Sequence, residues 1–157
     1  DSIFVPHGML HAIGEGILLA EVQEPEDLSI LLEWTGFDLE GERDGHLGLG
    51  FDLALTAVES QGRSISEVEE LVLRNTPEGS VLPESADPFF RLDRVTSSRN
   101  CPAGFAVVIV IAGAAKLTSV AGLSMELPAG STALIPHAAG SFHLDGDVLV
   151  ARPPQSE

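Results

Sequence analysis

The string with the most chemistry in it is Val5-Pro6-His7-Gly8-Met9-Leu10-His11-Ala12-Ile13-Gly14. Proline presets one backbone dihedral and glycine reaches conformations closed to other residues, so Pro6-x-Gly8 is turn chemistry, and it delivers His11 just beyond the turn. A neutral imidazole nitrogen held this way is a good ligand for a divalent metal such as zinc or iron. A pattern this short is also met by a structural histidine on a turn, and an open catalytic zinc site normally takes three protein ligands, so His11 needs partners. The other histidines offer none in a metal spacing. His7 sits in a variable position and reads as solvent-facing, and His46 reads as a surface residue. His137 and His143 flank Ala138-Ala139-Gly140 without an accompanying carboxylate and read as loop residues.

The elements that must position these residues are mostly strands. From Asp1 to Trp34 the sequence predicts three short ones, Ser2 to Val5, Ile17 to Gln23 and Leu28 to Trp34, parted by Pro/Gly/His turns and by Glu24-Pro25-Glu26-Asp27. Thr35 to Gly50 is glycine-rich and acidic, a surface linker with little core of its own. Phe51, Leu55 and Val58 recur at helical spacing, and Ser64-Ile65-Ser66-Glu67 matches a capping box opening a second helix with Val68, Leu71 and Val72 on its apolar face. Strand patterns then return at Phe89 to Val95, Ala106 to Ala112, Ala115 to Val120, Leu123 to Leu127, Ser131 to Ile135 and Val148 to Arg152. Turn residues lie between them, so a sandwich or jelly-roll barrel follows. Trp34, Phe89 and Phe90 belong beside apolar strands, as core rather than as sugar-stacking platforms.

Composition narrows the function further. Eight basic against 24 acidic residues give a net charge of -16, which argues against nucleic acid and anionic lipid surfaces as partners. The run Phe105 to Ala115 is too short for a membrane span and is Val/Ile-rich, a buried strand. The single cysteine, Cys101, has no intrachain partner and reads as a free thiol in a reducing cytoplasm. Asp1 opens almost directly onto the strand-like Ile3-Phe4-Val5, with no charged or apolar leader, which reads as an internal start.

Pro6-x-Gly8-x-x-His11 resembles the second sequence motif of cupins. The longer stretch through His11-Ala12-Ile13-Gly14 and Gly16-Ile17-Leu18-Leu19-Ala20-Glu21-Val22-Gln23 resembles class I mannose-6-phosphate isomerases. The fold implied is mainly β, a cupin (jelly-roll β-sandwich): the second half of one cupin over residues 1–34, a linker with short connecting helices over 35–85, and a complete smaller C-terminal cupin over 86–157. By the resemblance His11 is a ligand of zinc or another divalent metal, and Glu21 is a catalytic or substrate-orienting carboxylate. The partner is a small sugar or sugar phosphate, and the reaction is aldose–ketose isomerisation through an enediol, with the metal polarising the carbonyl.

Three departures qualify this expectation. The Gln/His-x-His segment and the glutamate that supply the family's other ligands have no counterpart in these 157 residues, so an upstream segment, in trans if need be, is their expected source. Counting from Glu21, the family's enediolate-stabilising arginine falls on Leu31, which supports a second reading as a non-catalytic sugar-binding or regulatory double cupin; Arg43 is the nearby candidate to replace it. Finally, Gly122, five residues, then Pro128-x-Gly130-x-x-Ala133 repeats the cupin spacing with alanine in the histidine's place. The second cupin is therefore expected to hold no metal, as in the isomerases.

Overall fold

A computed structural model describes residues 1–25 and 29–155. In chain order the elements are β1 (Ser2–Ile3), α1 (Gly41–Asp44), α2 (Phe51–Ala54), α3 (Ile65–Glu69), β2 (Val72–Leu73), β3 (Gly79–Ser80), β4 (Arg91–Val95), β5 (Ser98–Cys101), β6 (Ala106–Ser119), β7 (Ser124–Pro128), β8 (Thr132–Ile135) and β9 (Phe142–Arg152). They fall into two compact units, one of Asp1–Phe4 with Ile65–Glu157 and one of Val5–Ser64.

The first unit is built on two long antiparallel strands. β6 and β9 lie side by side over most of their length, and each changes neighbours part-way along. The first part of β6 pairs with β8 and its last part with β7. The end of β9 pairs with β4, which pairs in turn with β3, and the beginning of β9 pairs with β5. Two sheets are thus hinged on the same pair of strands, the corner construction by which antiparallel sheets wrap a common core.

The corner is made locally. In β6 the buried positions are Ala106, Val108 and Val110 before it and Ala115 and Leu117 after it, so the inward face changes parity across an irregularity between Val110 and Lys116. An irregularity of this kind keeps the apolar set pointing inward while the strand bends. Opposite it, Gly146 adopts φ +138°, and a Cβ there would sit 2.8 Å from the Ala114 carbonyl and from Ala115. Only glycine lets the two backbones approach this closely.

Inside the corner, Val95, Val108, Val110, Leu144 and Val148 are essentially inaccessible, and Leu117, Leu127, Ile135, Phe142 and Val150 complete the core. No buried polar or charged side chain interrupts it among the described residues. Val, Ile and Leu on alternate positions are what a sheet with one buried face requires.

The same unit holds α3, which begins immediately after Ser64 as the capping-box pattern predicts, and the small β1–β2 ladder, in which Ser2 faces Leu73 and Ile3 faces Val72. The amide of Phe4 donates to the Leu71 carbonyl at 2.9 Å, the Ser2 hydroxyl donates to the Val81 carbonyl, and the Phe4 ring packs on Phe89 at 5.6 Å. Phe89 and Phe90 are therefore packing residues, as expected.

The Val5–Ser64 unit contains only α1, α2 and a short 3₁₀ turn, Leu55–Ala57, as regular structure among its described residues. The helical pattern at Phe51, Leu55 and Val58 is met in part: α2 and the 3₁₀ turn cover Phe51 to Ala57, but Leu55 is 47% exposed and Val58 is extended. The strands expected over Ile17 to Gln23 and over Leu28 to Trp34 are not formed at the described positions, and Leu28 lies outside them. The physical reason is that strand pattern alone does not make a strand: its amides and carbonyls need a ladder, and no described segment supplies one to these residues. Leu18 is consequently 98% exposed.

The segment read as a surface linker, Thr35 to Gly50, contains α1 and contributes His46 to a small aromatic cluster with the flanking Trp34 and Phe51. Trp34 stacks on Phe51 at 5.9 Å and His46 meets Phe51 edge-on at 5.1 Å. Both glycines on α1's ends are forced: a Cβ on Gly41 would fall 1.8 Å from the Trp34 ring, and one on Gly45 would fall 2.8 Å from the Leu31 carbonyl.

Leu144→Ala should remove about 2–5 kcal/mol of stability from the barrel, the usual range for emptying a buried leucine site. Gly146→Ala should cost clearly more than Gly122→Ala, because Gly122 (φ +83°) has open space where its Cβ would go. Urea unfolding followed by far-ultraviolet circular dichroism measures both. Fluorescence of Trp34 would report on the other unit.

Candidate functional site

The Pro6–His11 turn forms as the sequence predicts. The Met9 amide donates to the Pro6 carbonyl at 3.2 Å, and Gly8 takes φ +77°. The Gly8 carbonyl accepts from the Glu59 amide at 2.8 Å, and a Cβ on Gly8 would lie 2.7 Å from the Ala57 carbonyl, so the turn is anchored on the segment after α2 and only glycine fits it. Beyond it His11 is exposed, its Nδ1 3.0 Å from the Met9 carbonyl oxygen. That contact suits an Nδ1–H tautomer, which leaves Nε2 as the free lone pair.

Glu21 is exposed, on a stretch without regular structure. Among the described residues no three His, Cys, Asp or Glu side chains converge into a group that could hold a metal ion. His11 therefore has no co-ligands within the described chain, and the donor set present does not fit a catalytic metal.

Leu31, at the position of the expected arginine, is 39% exposed, and its backbone amide is tied to the Gly45 carbonyl at 2.8 Å. Arg43 does not stand in for it. Its guanidinium bonds Asp44 at 2.7 Å and Glu40 at 3.1 Å, and Arg43 in turn holds the Asp44 carboxyl below the usual carboxylate range. His46 also differs from its reading as a surface residue. It is half-buried, with Nδ1 accepting from the Gly50 amide at 3.1 Å and Nε2 at 3.1 Å from the Glu42 carbonyl. A ring with both nitrogens engaged and its edge on Phe51 fastens α1 to the start of α2.

The barrel of the other unit carries the repeat of the motif. Ser124–Pro128 and Thr132–Ile135 flank the turn at Gly130 (φ +82°), with the Ser131 amide donating to the Pro128 carbonyl at 3.0 Å. Ala133 is partly buried and packs on the core, so the position that a cupin gives to its metal histidine holds a methyl group here. The barrel is a cupin-type jelly roll. Within it His143 is a strand residue and not a loop residue, its ring nitrogens 2.9 Å from the Ser98 hydroxyl and 2.9 Å from the Asn100 side-chain oxygen.

Polar chemistry in this cupin barrel is concentrated in a cleft of about 530 Å³ lined by the inward residues of β4, β5 and β9, among them Arg91, Asp93, Arg99, Cys101 and Arg152, with His137 also on its wall. Arg152 Nη2 donates to the Pro102 carbonyl at 2.9 Å and the guanidinium lies 5.5 Å over the Phe142 ring; Arg91 Nε donates to the Pro153 carbonyl at 3.0 Å; Arg99 pairs with Asp93 at 3.5 Å. None of these arginines was singled out from sequence. Their signal was the inward parity of Arg91 and Arg152, the same as that of buried Val95 and Val150. Cys101 is buried at the base of the cleft, and burial pushes its thiol pKa up, against the pull of Arg152 and Arg99.

Neither a family model nor a curated protein sequence matches the chain. Among solved structures it is similar to mannose 6-phosphate isomerase from Salmonella typhimurium (15% identity, TM-score 0.49), covering 66% of this chain and 28% of the isomerase. It is also similar to a cupin-2 domain protein from Shewanella frigidimarina (14%, TM-score 0.37; 58% of this chain, 93% of the other). A cupin superfamily protein from Desulfitobacterium hafniense gives 13% and a TM-score of 0.38, over 62% of this chain and 94% of its own. Likenesses of this degree add nothing to what the strand topology shows. No helix among the described residues is long and apolar enough to cross a membrane.

Cys101 should react with a thiol reagent at pH 8 at least roughly tenfold more slowly in the folded chain than in urea, since both access and thiolate fraction are reduced. Native and denatured rates with a chromogenic disulfide give the comparison, and equal rates would contradict the burial described.

Proposed function

We propose that this chain is the carboxyl-terminal part of a sugar isomerase of the mannose-6-phosphate isomerase type, interconverting an aldose and a ketose in the cytoplasm. The observation that carries the reading is the anchored Pro6–Gly8 turn with His11 exposed just beyond it, inside a sequence stretch that resembles the isomerases. Two features support it. Leu10, Ile13, Ile17, Leu18 and Leu19 are all exposed, in keeping with half of a cupin barrel whose remaining strands come from elsewhere in the polypeptide. The C-terminal barrel carries Ala133 in place of a ligand, as the second cupin of these isomerases would.

In this reading His11 is one ligand of zinc or another divalent metal whose other ligands come from an upstream segment, and the substrate is a small sugar or sugar phosphate. The described chain does not by itself supply the ligands such a metal needs. Glu21 has the simpler task. Conversion of an aldose to a ketose removes a proton from carbon 2 and returns it to carbon 1, and one carboxylate placed over both carbons can do each transfer.

Leu31 favours a second reading, a sugar-binding cupin that does not turn its ligand over. An apolar side chain offers no hydrogen bond to an enediolate oxygen, and Arg43 is held by its own carboxylates.

Elemental mass spectrometry of the full-length polypeptide should find about one divalent metal per chain, lost in His11→Ala, whereas the present 157 residues alone should take up none in stoichiometric amount. Glu21→Gln should lower kcat by about 10²-fold or more with metal still bound. Absence of interconversion of any mannose- or fructose-like sugar by the metal-loaded protein would sink the isomerase. Calorimetric sugar binding without product would establish the second reading.

A further inference from the structure

The chain has only eight cationic side chains for 24 acidic ones, so every guanidinium has carboxylates to choose from. Six of the eight make an ion pair: Arg43, Arg63, Arg74, Arg94, Arg99 and Lys116. Arg91 and Arg152 have no carboxylate at ion-pair distance among the described residues. These two are not scattered over the surface. They are directly opposite one another across the β4–β9 ladder, and both line the same cleft.

Like charges directly opposite on neighbouring strands repel and destabilise the ladder. Here they also share a concave wall. The third guanidinium, Arg99, is set against Asp93 at 3.5 Å, the only carboxylate of the wall among the described residues, which leaves two positive charges unbalanced there. Arg91 donates to the Pro153 carbonyl, and Arg152 donates to the Pro102 carbonyl and lies beside the Cys101 thiol. A guanidinium has five N–H donors, so each retains several for a ligand.

We propose that this cleft binds the phosphate group of a small phosphate monoester, the phosphate bridging the guanidiniums of Arg91 and Arg152. The forked donors of arginine match a phosphate's oxygens two at a time, and a monoester carries close to two negative charges at neutral pH, equal to the excess on the wall. The cleft, about 530 Å³, is of the size that takes a small metabolite. Asp93, beside Arg99, is placed to accept hydrogen bonds from hydroxyl groups on the rest of the molecule. The proposal is independent of the isomerase reading, since it involves neither His11 nor Glu21.

The test is calorimetric titration of the full chain with inorganic phosphate and with glycerol phosphate at low ionic strength, joined to thermal melting. One site per chain is expected, with glycerol phosphate binding at least as tightly as phosphate and with affinity falling as salt is added. Arg91→Gln should weaken binding at least tenfold and Arg91→Gln with Arg152→Gln should abolish it, while Arg43→Gln leaves it unchanged. Without phosphate, Arg91→Gln should melt no lower than the parent chain, because a repulsion has been removed, yet it should lose the phosphate-induced rise in melting temperature. No binding by the parent chain would overturn the proposal, as would tighter binding of malonate than of either phosphate. So would an Arg91→Gln protein that melts lower but still binds phosphate, for then the arginine is structural.

Discussion

Everything in the barrel hangs on the long pairing of β6 with β9 and on the one corner where both bend. Each sheet on its own would be a few short strands with one face apolar, and such a ribbon is marginal in water. Because the same two strands run through both sheets, closing the corner brings Val95, Val108 and Val150 from one sheet against Leu117, Phe142 and Leu144 from the other. The absence of a side chain on Gly146 is what permits the approach to Ala114 and Ala115.

Charge is organised around that core in a consistent way. Arg94 reaches Asp147 just past the corner, where the β4 and β9 backbones are already joined, and Lys116 and Glu126 face one another across β6 and β7. Surface pairs of this kind contribute little each. Their interest is that they absorb most of the chain's few cations, so that Arg91 and Arg152 are the cationic side chains left without an ion pair among the described residues. The Val5–Ser64 unit has no comparable core and is held instead by a small ring cluster, by glycines packed against it and by the turn at Gly8.

The C-terminal barrel was legible in the sequence because its strands are Val/Ile-rich and its hairpin carries Gly122, Pro128 and Gly130 at turn positions. Its details were less so. β6 reads as two strands because Gly113-Ala114 interrupts the alternation, whereas the structure bends one strand there. β5 was missed since Ser-Arg-Asn-Cys has weak strand propensity and is held extended by its pairing with β9, a tertiary effect. The start of β9 was missed for a related reason: Leu144-Asp145-Gly146-Asp147 looks like a turn, and the glycine serves a corner inside a strand. In the front third the pattern was strand-like but a pattern cannot supply the neighbouring ladder. The His11 turn was readable because proline and glycine act locally. The arginine wall was not, because which face of a strand points inward is decided by its partners.

The central position of β9 has a consequence for how the barrel is made. Among the described residues no strand follows it, and it pairs with β4, β5 and β6, strands that precede it by some 23 to 61 positions in its registers. During synthesis β4 can meet β3, and β6 can meet β7 and β8, but the edges that β4, β5 and β6 present to β9 wait until Arg152 has been made. Closure is then dominated by contacts distant in sequence, the situation that slows folding and prolongs the exposure of unpaired edges. The order of strands along the chain thus makes the joining of the two sheets a late event, since it waits for β9.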